Sequence, residues 1–219
     1  MFRIYWLVAA LLAGGTLAAQ SPPTTTESAA AREARIEVLR AKAREHIEQE
    51  RVLYSASQLQ DIDARYRSAH QAAFPMFLRR EAAPILLELV AAYPKSNRSG
   101  CALLKLAQLA SGAERENYFR QAIASHSNAW CESGVQVGAL ARAQLAIHHA
   151  GLEKFDEAER LAQQVLAEFP GAIDESGAPL DDVLEGIRLL RQGGGHRDRP
   201  SHLGLQPTAT GETIWCRRG

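Results

Sequence analysis

The chain has 219 residues, with 25 basic side chains balanced by 25 acidic ones and no net formal charge. That balance argues against a general binder of nucleic acid or anionic membrane, whose affinity rests on a positive excess. Abundant Ala, Leu, Glu and Arg with few β-branched runs predict an all-helical fold, large enough to bury a core without staples.

Residues 1–19 carry Arg3, an apolar run over 4–13, then small residues ending in Ala18 and Ala19. A basic start, a short apolar core and small residues before a polar stretch describe a secretory signal peptide. An uncleaved anchor is the alternative. With the signal removed no membrane span is expected, and an exported bacterial chain would be periplasmic or secreted. Residues 20–28 read as a flexible leader. Residues 29–54 form an N-terminal helix whose apolar stripe, Ile36, Leu39, Ala43 and Ile47, is narrow.

Ser57 with Gln60 fits a capping box, in which each side chain satisfies the other residue's exposed amide, so the spacing predicts a helix over 58–74 ended by Pro75. Residues 79–92 follow as a second helix with Ala82, Ile85, Leu86, Leu89 and Val90 inward; Pro84 is tolerable there only in the first turn. Residues 99–110 are apolar nearly all round and predict a helix buried between neighbours. Residues 114–125 return with Tyr118, Phe119, Ala122 and Ile123 inward.

Residues 139–150 predict a short alanine-rich helix closed by Gly151. In the partner helix after Phe155, the apolar residues Ala158, Leu161, Ala162, Val165, Leu166 and Phe169 fall at helical spacing, and Pro170-Gly171 stops it. Pro94 follows Ala82 at the interval by which Pro170 follows Ala158, a sign of repetition. Leu180, Val183, Leu184, Ile187 and Leu190 make one more amphipathic helix, and residues 192–219 read as a disordered tail in which Trp215 and Cys216 have no assigned role.

Leu145-Ala146, Ala158 and Pro170 resemble the large-small pair, the small second-helix residue and the terminal proline of the tetratricopeptide repeat. The aromatic usual in the second helix is replaced by Ala162, and the turn glycine is displaced to Gly151. The passage AAYPKSNRSGCALLKLAQLA also resembles the joints of periplasmic tetratricopeptide proteins of the outer-membrane-assembly and Tol-Pal coordinator types, and the layout is similar to uncharacterised exported repeat proteins. The resemblance covers residues 57–191 and implies a right-handed superhelix of about three hairpins, at 58–94, 97–127 and 135–170, with the N-terminal helix before them and a C-terminal capping helix after.

By register the family's ligand-facing positions are Ala64, Arg67, Gln71 and Phe74, then Arg98, Cys101, Lys105 and Gln108, then Leu140, Ala143, Ile147 and Ala150. The resemblance thus implies a non-catalytic scaffold for a protein or peptide partner, with Arg67, Gln71, Arg98, Lys105 and Gln108 in contact. Trp130, in a joint longer than a minimal one, is a further contact candidate or else pins its own loop. The apolar third set would be covered by the N-terminal helix or the cap, or would take an amphipathic partner helix.

Signals for chemistry are sparse. Cys101 and Cys131 either pair in a disulfide or stand as two separate thiols; the helical setting of Cys101 favours the second. His148 and His149 are adjacent and diverge around a helix, so they cannot share a metal, and one is expected to face the core. The Asn97-Arg98-Ser99 sequon is a short pattern of little weight. No cofactor is implied. The alternative functions are an exported thiol-dependent or metal-using enzyme and a homo-oligomeric structural protein.

Overall fold

A computed structural model of the chain describes residues 27–72 and 79–193. The stretch expected to be a signal peptide, most of the expected leader, Phe74, Pro75 and the C-terminal stretch with Trp215 and Cys216 lie outside the described residues. Among the described residues the fold is all-helical, eight α-helices packed against one another. They are α1 (Ala29–Glu48), α2 (Ala56–Ala72), α3 (Arg79–Ala92), α4 (Asn97–Leu109), α5 (Gly112–His126), α6 (Val137–Gly151), α7 (Phe155–Glu168) and α8 (Val183–Gly193). A single 3₁₀ turn, Gln49–Val52, follows α1.

Side-chain caps mark the starts of α1, α2 and α4. The Ser28 side chain accepts from the Ala31 nitrogen at the start of α1, and Ser96 does the same for Ser99 at the start of α4, each relieving one of the amides that a helix start leaves unpaired. The capping box of α2 is Ser55 with Gln58, not Ser57 with Gln60: Gln58 Oε1 accepts from Ser55 N at 2.9 Å, and Ser55 Oγ lies 3.4 Å from Gln58 N. The helix therefore begins two residues earlier than the spacing predicts. Pro84 sits inside α3, beyond its first turn, which contradicts the placement expected of it. In the turn between α6 and α7 the left-handed position belongs to Glu153, φ 61°, rather than to Gly151.

Consecutive helices α2 to α8 pack side by side, and alternate ones, α2 with α4, α4 with α6 and α6 with α8, also touch. The densest core lies along α4 and α6, where Ala102, Leu103, Leu104, Leu106, Ala139, Leu140, Ala141 and Leu145 are all buried. Small side chains there let helices approach closely. An added Cβ at Gly138 would lie 2.8 Å from the Ser127 Cα, so only glycine fits where α6 crosses the end of α5. Arg142 locks the same corner: Nη1 donates to Ser127 Oγ (2.8 Å), Nη2 meets Glu168 (3.2 Å), and the guanidinium covers the Phe169 ring. At the far end Arg191 reaches Asp156 and Glu159, both at 2.9 Å, tying α8 to α7.

Two loops share one backbone turn. In residues 129–137 Cys131 N donates to Val135 O (2.9 Å), Gly134 N to Cys131 O (2.9 Å) and Val137 N to Ala129 O (2.9 Å); in 172–180 the matching bonds join Asp174 to Ala178 (2.8 Å), Gly177 to Asp174 (3.0 Å) and Leu180 to Ala172 (2.9 Å). Their glycines, Gly134 and Gly177, have φ of 87° and 78°, a region L side chains avoid. Both glycines back directly onto α1, Gly134 against Leu39 and Arg40, Gly177 against Ile36. The N-terminal helix thus lies across the two turns, burying Ile36, Leu39 and Ala43. Pro179, just ahead of the last helix, belongs to the second of these turns, bridged to Ile173.

Candidate functional site

The residues expected to meet a partner start from α2 and α4. Three residues draw together around Arg98, in the first turn of α4. Its Nη2 lies 2.7 Å from Asp63 Oδ1 and also pairs with Glu132 from the first turn-forming loop. The guanidinium carbon sits 4.7 Å above the centre of the Tyr66 ring, a cation–π contact. Burial raises the Tyr66 phenol above its usual value, and Arg98 only partly offsets that. With 14% of its side chain exposed, Arg98 has its charge paired within its own chain.

The other positions divide. Arg67 is 68% exposed at its side chain while pairing with Asp63, and Gln71 is exposed at the same end of α2. These two face solvent. Lys105 Nζ lies 3.4 Å from Gln108 Oε1, and Gln108 Nε2 donates to Glu175 Oε1 at 3.0 Å. Glu175 holds in the second turn the place that Glu132 holds in the first, so the two turns each set a carboxylate against α4. Trp130 is partly buried, its backbone nitrogen donating to Asn97 Oδ1 at 2.9 Å and its backbone bridged to Gln136. Of the apolar third set, Leu140, Ala143 and Ala150 are buried, and Ile147 is 44% exposed.

Cys101 and Cys131 form a disulfide with their Cα atoms 6.0 Å apart, which overturns the expectation of two separate thiols. Cys101 is helical and buried, but the loop after α5 folds back onto α4 and brings Cys131 to it. His149 is buried and His148 half-buried, as a divergent pair should be. His149 Nδ1 lies 2.9 Å from Glu157 Oε2. The sequon asparagine, Asn97, is 5% exposed and bonded to Trp130 and Glu50.

A cleft of about 360 Å³ lies where the end of α1 meets the start of α4 and the end of α5, lined by His46, Glu50, Lys95, His126 and Asn128. Burial pushes the Glu50 carboxyl up and the His126 imidazole down, both toward the neutral form. No group of three or more His, Cys, Asp or Glu is arranged to hold a metal among the described residues. No helix of the described residues is long and apolar enough to cross a membrane.

Sequence reasoning missed Asp63, Tyr66, Glu132 and Glu175. The signal for the last two was present: AWCESGVQV at 129–137 recurs as AIDESGAPL at 172–180. Compared with known proteins, the chain matches no family model, and no curated protein or solved structure is significantly similar to it.

Proposed function

We propose that the chain is a non-catalytic helical-repeat scaffold that holds another polypeptide in the bacterial periplasm. In this reading α2–α3, α4–α5 and α6–α7 are three tetratricopeptide-like hairpins of a right-handed superhelix, with α1 as the N-terminal helix and α8 as the cap. The observation that supports it is the packing order: from α2 onward each helix meets the next, and α2, α4, α6 and α8 also meet in succession, as the first helices of stacked hairpins do. Service in envelope assembly or cell division is the corresponding role by analogy with the proteins it resembles.

The contact assignment narrows to Arg67 and Gln71. Both are exposed on α2, Arg67 even while it pairs with Asp63, whereas Arg98, Lys105 and Gln108 are less exposed and pair within the chain. The test is crosslinking in the native envelope, with partners identified from wild-type protein and from a folded Arg67→Glu/Gln71→Ala variant. Loss of a wild-type partner from the variant is expected. Retention of every partner removes the site, and recovery of the protein outside the envelope fraction removes the compartment.

A further inference from the structure

The two matching turns are closed by different chemistry. In the second, Asp174 Oδ1 accepts from Ser176 N (2.8 Å), Ser176 Oγ (2.7 Å) and Ala178 N (2.9 Å), a side chain closing its own loop. In the first, the equivalent residue is Cys131, which supplies no carboxylate; Ser133 and Val135 stand where Ser176 and Ala178 do. In place of that side-chain closure Cys131 is bonded to Cys101 on α4, beside the Arg98–Glu132 pair and the Trp130–Asn97 bond that also tie this turn to α4. The turns otherwise bear the same load, Gly134 on Leu39 and Arg40, Gly177 on Ile36. The second is also gripped from α1, since Arg32 donates to Ser176 O at 2.6 Å and to Gly177 O at 3.3 Å.

We propose that the Cys101–Cys131 disulfide is a redox-controlled clasp for the first turn alone. A dithiol reductant opens it, the turn and the α1 surface seated on it loosen, and the second turn stays closed on Asp174. Cys131 is partly exposed and Cys101 is 2% exposed, so attack falls on the Cys131 sulfur. A thiolate of the reductant bonds to Cys131 Sγ as the Cys101–Cys131 bond breaks, and Cys101 leaves as a thiolate that takes up a proton. The reductant's second thiol, losing its proton, displaces Cys131 as a thiol. Two electrons have passed to the protein, and the reductant ends as a disulfide.

The test is amide hydrogen exchange on the full chain, oxidised and after dithiothreitol, with thiol counting to confirm the state. Reduction should speed exchange about tenfold or more at the amides of Cys131, Gly134 and Val137 and expose the neighbouring part of α1, leaving those of Asp174, Gly177 and Leu180 unchanged. Two variants separate the clasp from loss of a cysteine. Cys101→Ala/Cys131→Ala should exchange like reduced protein. Cys101→Ala/Cys131→Asp, which supplies the second turn's carboxylate to Ser133 and Val135, should stay slow with or without reductant. Equal protection of both turns after reduction overturns the proposal. So does acceleration that spreads to α7 and α8, or a Cys131→Asp variant as fast as Cys131→Ala.

Discussion

Glu50 accepts a hydrogen bond from the backbone nitrogen of Asn97, so a carboxylate carried beyond the end of α1 caps the first turn of α4. Such a carboxylate is favourable at a helix start, yet burial dominates and raises its pKa above the ordinary 4.5. A raised folded value means the folded state holds the proton more tightly, so this contribution is full below 4.5 and is lost as pH climbs through the folded value. Glu50→Gln keeps an oxygen for Asn97 and deletes the charge. At neutral pH it should raise Tm, by about 2–4 °C per kcal/mol. Melts taken toward acid pH should show the gap to wild type closing.

His126 acts in the opposite sense. It is 6% exposed, and burial holds its imidazole below the ordinary 6.5. Its contribution is present above 6.5 and is lost as pH falls through the folded value, because the unfolded chain takes up the proton first. Urea midpoints followed from pH ~7 to pH ~5 should fall for wild type and fall less for His126→Gln.

Arg98→Met should destabilise by about 1–2 kcal/mol, below the figure for a fully buried pair because both carboxylates retain solvent. Asp63 is 32% exposed and Glu132 63%. Double-mutant cycles should therefore give a larger coupling to Asp63→Asn than to Glu132→Gln.

The same substitution should change sign between two helical glycines. Gly138→Ala forces a methyl against the Ser127 backbone and should cost about 1–3 kcal/mol. Gly186→Ala, in α8 with nothing within 4 Å of the new methyl, should stabilise by about 0.5–1 kcal/mol through helix propensity. Urea denaturation at constant m resolves both.

Gly177→Ala meets two penalties, a φ of 78° and a new methyl 2.6 Å from Ile36 Cδ1. A loss of about 1–3 kcal/mol is expected. Ile36→Ala in the same chain should recover the steric part only, so the two changes should be less than additive in a cycle. Additive losses would show that α1 does not rest on this turn.

Much of the helix layout was legible because it is written locally. The expected span 79–92 coincides with α3, and the stripe Ala158, Leu161, Ala162 and Val165 is the buried face of α7, since periodic burial and a following proline are properties of a short window. The capping box was misplaced for a local reason as well. Ser55 with Gln58 and Ser57 with Gln60 are the same pattern offset by two, and nothing within the window separates them.

The site was only half legible. Register put Arg98, Lys105 and Gln108 on one side of α4, but the groups that neutralise or bind them, Asp63, Glu132 and Glu175, come from α2 and from two distant turns. A charged side chain on a helix face reads alike whether it meets solvent, a partner or its own chain.

By itself the sequence determined where the chain turns helical, which stripe of each helix is apolar, and that His148 and His149 diverge, because these follow from backbone periodicity and local hydrogen bonding. Only the tertiary structure decided that Cys101 joins Cys131, that α1 rests on Gly134 and Gly177, and that Arg98 is closed off by Asp63, Tyr66 and Glu132. Those pairings depend on how the chain returns to itself in space, which no local window of residues contains.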